Sequence, residues 1–282
     1  MKIVIPIIAE IDPIPSIPTK DIIEKGDCGL SVKLVQELLS LQGFGLKIDS
    51  EFGPATEKAV NLFQEGLSAD DFRDDVGIVG EDTWCHLWSP ISNTLEYKPN
   101  LPTVISPTTI QQAVFEFARV HLLNNAHELP DNTGPWVRMY MGWNPITGDE
   151  HLSWCSAFVR FCIQQALDAL GLPENLVWSR RVGWDCDAVA AWAKAHKCFY
   201  NSQEHNPNVG AIGLIYKSST DWVHTGIVEA YDAENGVVTM IEGNTSSDGS
   251  YNGTSVCRKF RKVTNIDFVN LYAVPYYQRV KD

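Results

Sequence analysis

Cys155 stands in Trp154-Cys155-Ser156-Ala157-Phe158-Val159, His224 follows 69 residues later, and Glu242-Gly243-Asn244 begins 18 residues after that. A cysteine attacks a carbonyl only as thiolate, and a helix N-terminus lowers its pKa by presenting unpaired N–H groups and positive dipole to the sulfur. The apolar residues Phe158, Val159, Cys162, Ile163, Ala166, Leu167 and Leu170 recur at helical spacing, which puts Cys155 in the first turn of a helix. His224 sits in the alternating run Asp221 to Val228, on the same face of a strand as Gly226, whose small size leaves room for a substrate. Glu242, on the far side of a hairpin marked by Asn235-Gly236, can reach the second imidazole nitrogen, hold the tautomer and stabilise the imidazolium. Asn244 joins the same network if the strand continues. A thiol, a base and an orienting carboxylate make amide hydrolysis the first expectation.

These residues need rigid supports. A helix begins near Thr108 or Thr109, the Cys155 helix ends at Gly171-Leu172-Pro173, and a third helix runs from Asp185 to Lys197. Strands follow at 211–216, 223–231, 237–242, 255–260 and 271–276. Helices first and an antiparallel sheet second predict an α+β fold of papain-like order. Cys162 reads as core, because a buried free thiol behaves as a small hydrophobe. Trp154 and Trp222 flank the two reactive positions and either line the cleft as substrate-binding residues or pack. His151 reads as a rim residue, and His86, His121, His127, His196 and His205 have no evident partners.

Ahead of this domain, Pro6, Pro13, Pro15 and Pro18 mark residues 1–20 as a Pro-rich arm, and prolines 90, 99, 102 and 107 mark a linker over 91–107. Residues 21–90 lie between them as a small three-helix bundle, and 108–282 form the second domain. Three helices of this length suit binding better than chemistry. The first holds Val32, Val35, Leu38 and Leu39, the second begins at Gly53-Pro54, and a short third carries Trp84, Leu87 and Trp88. Gly26-Asp27, Val35-Gln36, Gly43-Phe44, Asp49, Phe52-Gly53-Pro54-Ala55-Thr56, Phe63-Gln64, Gly77-Ile78-Val79-Gly80 and Thr83-Trp84 resemble, in order and spacing over residues 24–88, the peptidoglycan-binding domain found beside cell-wall hydrolases. That resemblance implies peptidoglycan as partner and Asp49, Phe52 and Gly53 as substrate-binding candidates, with bundle packing the rival role for such residues. Ser50, where the family usually has glycine, and the acidic insert Ser68 to Asp75 depart from its pattern.

The order Cys155, His224, Glu242-x-Asn244, together with Trp-Cys-Ser-Ala-Phe-Val at the nucleophile and the upstream segment Asp131 to Val137 with Tyr140, is similar to the CHAP amidase/endopeptidase branch of the NlpC/P60 superfamily. The likeness covers roughly residues 110–278. It implies Cys155 as nucleophile, His224 as base and then acid, Glu242 as orienting residue, Asn244 as an auxiliary polar group, and the Cys155 backbone N–H in an oxyanion hole. No cofactor is implied, and no metal is expected.

Composition narrows the alternatives. The formal charge is −13, with 8 Lys/Arg against 17 Asp/Glu in residues 1–100, and the sequence reads as lacking a basic stripe, which argues against nucleic acid and anionic membrane as partners. Seven cysteines without CxxC or zinc spacing read as free thiols. Met1 to Glu10 is too short and too interrupted for a signal peptide, so synthesis in the cytoplasm is expected, with action at the cell wall after release through a holin, on a phage tail or by a secretion machine. A papain-like protease or transglutaminase-type enzyme acting on proteins is the rival enzyme, and a non-catalytic wall-binding protein the rival non-enzyme.

Overall fold

The computed structural model describes residues 22–68, 73–102, 106–142, 152–179, 184–201, 203–246 and 253–271. The Pro-rich arm, His151 and nearly all of the strand expected at 271–276 lie outside them. Helix α1 (Leu30–Leu41) buries Val32, Val35, Leu38 and Leu39, and packs on α2 (Pro54–Glu65) and α3 (Glu81–Leu95). Trp84 and Trp88, one turn apart on α3, stack with centroids 6.2 Å apart in the middle of this bundle. Gln36 ties the helices to the loop between them. Its Nε2 donates to Asp49 Oδ1 at 2.9 Å, and its Oε1 accepts from Ser50 N at the same distance. Ser50 has φ 66, the left-handed conformation that accounts for the usual glycine there. Of the acidic insert, Asp74 caps α3 by accepting from Gly80 N and Thr83 N.

The domain boundary expected at residue 90 falls inside α3, which continues through Pro90 to Leu95. Proline cannot donate to the carbonyl one turn back. That carbonyl, His86 O, instead accepts from Ser89 Oγ at 2.9 Å, which offsets the loss. The expected linker is docked as well. Tyr97 meets Phe117 edge-on at 5.7 Å and donates its hydroxyl to Glu116.

Helix α4 (Pro107–Leu123) opens on a Ser106–Thr109 capping box, its N-cap Ser106 two or three residues before the expected cap at Thr108 or Thr109. A short α5 (Pro135–Tyr140) precedes α6 (Cys155–Ala169) and α7 (Cys186–Ala195). Strands β1 (Phe199–Asn201), β2 (Ile212–Ser218), β3 (Asp221–Asp232), β4 (Val237–Thr245), β5 (Ser255–Lys262) and β6 (Ile266–Val269) form one antiparallel sheet in the order β1-β6-β2-β3-β4-β5. β1 was not foreseen, and the last described strand lies before 271–276. Helix α6 rests on α4 and on β3 and β4, so the Cys155 element bears directly on the strands that carry His224 and Glu242. No described helix is long and apolar enough to cross a membrane. A local basic run does exist on β5, but each member is engaged: Arg258 with Glu229, Lys259 with Ser246 O, Arg261 with Glu242, and Lys262 with Asn235 O.

The two bodies share one continuous apolar core, which joins Val35, Leu38 and Trp88 to Trp136, Phe158 and Ile241. Across the junction, Arg138 on α5 grips Glu37 on α1 through a two-pronged ion pair, Nη1–Oε1 3.1 Å and Nη2–Oε2 2.5 Å, with both side chains at most 4% exposed. Gln165 on α6 adds a buried bond to Thr94 O at the end of α3. Removing Arg138 leaves the buried Glu37 carboxylate, among the described residues, with only the partly exposed Lys33, at 3.3 Å, as a charged partner. Arg138→Ala is therefore expected to lower unfolding free energy by about 3–5 kcal/mol, read as a lower midpoint in urea denaturation; an unchanged midpoint would show that the pair carries no net stability.

Candidate active site

Helix α6 starts at the residue the sequence singled out. Its N-cap is Trp154, whose side chain makes no capping bond, so the first-turn N–H groups are free to face the Cys155 sulfur. The N-cap itself is held from β4: Asn244 Oδ1 accepts from Trp154 N at 3.3 Å, while Asn244 Nδ2 donates to Gly253 O at 2.9 Å and Asn132 Oδ1 at 3.1 Å. Gly243 lets β4 come this close, because a Cβ there would lie 2.7 Å from the Trp154 ring and 2.8 Å from Phe158.

His224, 1% exposed, bonds through Nε2 to Glu242 Oε2 at 2.9 Å, which leaves Nδ1 free to serve the neighbouring Cys155. The space beside Gly226 is filled by Glu242, whose Cγ lies 2.5 Å from where a Cβ would stand, and not left for a substrate as the sequence suggested. Glu242 is buried and also receives Arg261 in two short bonds, Nε to Oε1 at 2.5 Å and Nη2 to Oε2 at 2.6 Å. Burial alone would raise its pKa, but Arg261 and then His224 reverse this and keep it ionised. Burial likewise opposes charge on His224, yet the Cys155 sulfur and the Glu242 carboxylate raise its pKa to about 9. Cys155 is lowered well below the usual thiol range, first by the neighbouring Cys186 thiol and then, against the cost of burial, by His224 and the Ser156 N–H. The resting pair is thus thiolate and imidazolium, the form that attacks a carbonyl without first losing a proton.

Asn244 does not enter the His224–Glu242 network. The strand is irregular between Glu242 and Thr245, and Asn244 is left-handed with φ 53, which turns its side chain toward the start of α6. The tryptophans pack. Trp154 is fully buried, stacks on Tyr140 with centroids 5.4 Å apart and donates Nε1 to Glu128. Trp222 donates Nε1 to Asp267 at 2.9 Å and carries Lys194 Nζ over its ring at 4.1 Å. In the first body Phe52 is 2% exposed and belongs to the core, Asp49 serves the Gln36 loop, and Gly53 is the N-cap of α2. His121, given no partner above, is fully buried between Gln165 and Tyr140, and burial lowers its pKa to about 4. All seven cysteines are free, Cys162 is core, and among the described residues no group of three His, Cys, Asp or Glu is placed to hold a metal ion.

Sequence reasoning missed Arg261 and Cys186. Arg261 lies in an alternating charged strand that looks solvated, although the pattern of Glu242 facing inward from the neighbouring strand called for a cation. Cys186 carries no spacing signal.

A thiol at a bare helix N-terminus, beside a strand histidine that a buried carboxylate orients, defines a papain-like cysteine hydrolase fold. Residues 147–244 match the CHAP domain model, and residues 28–87 match the putative peptidoglycan binding domain model. Cys155, His224, Glu242 and Asn244 lie inside the first match, and Asp49, Phe52 and Gly53 inside the second. The chain carries both domains and is a peptidoglycan hydrolase of amidase or peptidase type.

Proposed function

We propose that the protein hydrolyses an amide bond of the peptidoglycan stem peptide, as an N-acetylmuramoyl-L-alanine amidase or an endopeptidase, with Cys155 as nucleophile. The observation that carries this reading is the Cys155 thiol at the start of α6 beside His224, whose ring is bonded to the buried Glu242 carboxylate. The Cys155 thiolate attacks the carbonyl carbon, and the Cys155 backbone N–H supports the oxyanion that forms. As that intermediate collapses, His224 passes its proton to the departing amine, leaving a thioester on Cys155. Water then adds to the thioester, gives one proton to His224, and the carboxylic acid leaves as the thiolate is restored. Glu242 holds the His224 ring throughout and stabilises it whenever it is imidazolium, and Arg261 keeps Glu242 from taking the proton itself. The helical domain keeps the enzyme on its substrate, and the site of action is accordingly the bacterial cell wall.

Digestion of purified sacculi followed by mass spectrometry of the fragments tests this. Muramic acid freed of peptide identifies an amidase, and shortened or uncrosslinked peptides identify an endopeptidase. Cleavage of casein with intact sacculi would instead support a protease acting on proteins. Because the acid step needs imidazolium, kcat/KM on soluble muropeptides is expected to fall as pH rises through about 9, the His224 value. A profile still flat at pH 10 to 11, roughly one to two units above that value, would remove His224 from the acid role.

A further inference from the structure

The loop between α4 and α5 brings a carboxylate to the residue just ahead of the nucleophile. Half-buried Glu128 accepts through Oε2 from the indole Nε1 of Trp154 at 2.5 Å and from Asn244 Nδ2 at 3.5 Å. Asn244 in turn holds Trp154 N at 3.3 Å, so one carboxylate oxygen serves both the ring of the N-cap residue and the amide that grips its backbone. The loop itself is tied down. Glu128 N donates to Thr254 O at 2.8 Å, and Gly253 N donates to Asn244 O at 3.1 Å, which closes a circuit of bonds from β4 through residues 253 and 254 to Glu128 and back.

What this circuit fixes is the plane of the Trp154–Cys155 peptide. Trp154 is anchored at its N by Asn244 and at its ring by Glu128 and the stack on Tyr140. Its O accepts from Phe158 N at 2.9 Å, along the helix. A trans peptide is planar, and its N–H points opposite to its C=O. With Trp154 O directed down α6, the Cys155 N–H points out of the helix start, where a first-turn donor has no partner within the helix. We propose that Glu128 is a positioning residue for the hydrolysis: by holding Trp154 and Asn244 it keeps the Cys155 N–H aimed at the oxyanion that forms when the thiolate attacks. The aim matters because a donor fixed in place beforehand need not reorganise as charge develops on the carbonyl oxygen. Glu128 acts here as an acceptor and not as a charge, since both of its side-chain donors are neutral N–H groups.

Glu128 has this role only if Cys155 is the nucleophile and its N–H the oxyanion donor, as proposed above, so the test reads thiolate and oxyanion separately. In the full-length protein, steady-state kinetics on soluble muropeptides are set beside the rate of Cys155 alkylation by iodoacetamide, which needs the thiolate but forms no oxyanion. Glu128→Leu, which has no acceptor, should lower kcat about 10- to 100-fold, short of the roughly 10²–10³ lost with an entire oxyanion donor, while KM and the alkylation rate stay within about twofold of wild type. Glu128→Gln keeps a carbonyl oxygen and should stay within about threefold of wild type in kcat. Should the leucine variant not fold, Glu128→Met, of similar length and without an oxygen, takes its place. A kcat within about twofold of wild type in the variant lacking an acceptor overturns the proposal. A parallel fall in alkylation also overturns it, by assigning the effect to the thiolate, and so does an equal loss in Glu128→Gln, by assigning it to charge. Hydrolysis that survives Cys155→Ala would instead strike the reading beneath it, and this role with it.

Discussion

Cys155→Ser and Cys155→Ala are expected to abolish lysis of sacculi, with a loss of kcat of about 10⁴-fold or more, while the circular dichroism spectrum and sedimentation with peptidoglycan stay as in the wild type. The size follows from what serine lacks. Its hydroxyl cannot ionise beside His224, so the attacking species vanishes although the shape of the site is kept. Cys155 lies at the edge of the core at 7% exposure, and the exchange of sulfur for oxygen leaves no large void. Cys162→Ala supplies the contrast. It empties a fully buried position seven residues on, and should lower stability by roughly 1 kcal/mol with activity retained. Wild-type digestion by the Cys155 variants would end the proposed mechanism.

Glu242→Gln should lower kcat by about 10² to 10⁴ with wall binding unchanged. Glutamine keeps the volume beside Gly226 but presents an amide where His224 Nε2 and Arg261 both require an acceptor. One orientation of the amide serves one of them poorly, and neither orientation supplies the charge that stabilises imidazolium. The pKa of His224 should fall from about 9, and the alkaline limb of the rate profile should move to lower pH with it. That joint displacement of rate and limb is the reading to look for in steady-state kinetics on soluble muropeptides. A loss below about threefold with the limb in place would mean that orientation of His224 comes from elsewhere.

What the sequence disclosed, and what it withheld, follows from the range of the forces involved. Cys155 was legible because helix periodicity fixes which residue opens α6. His224 and Glu242 were legible because hairpin geometry brings strand positions together at a countable distance, and register bore this out: Gly226 and Glu242 lie beside the Ile227–Ile241 pair. Counting failed where the backbone leaves its period. The left-handed turn at Asn244 sent that side chain to the Trp154 amide, and Ser89 rescued a helix that Pro90 was expected to end. Cys186 and Arg261 were hidden for another reason. Their roles depend on which elements pack together, and neither has a sequence neighbour that implies it. Trp154 and Trp222 sit at the reactive positions in sequence but turn their rings into the core, since burying an indole outweighs leaving it in an open cleft.

The ion pair between Glu37 and Arg138, set in a core common to both bodies, makes the anchor and the blade a single stiff tool. A flexible tether lets a cutter sweep a volume whose radius grows with the root of its length, and every bond inside that volume is sampled. With the wall held by the first body and cut at Cys155, as proposed, the offset between foothold and cut would be written into the fold, as it is in a caliper. On a regular polymer such an enzyme meets bonds at one spacing from its foothold, and must let go and rebind to reach the next.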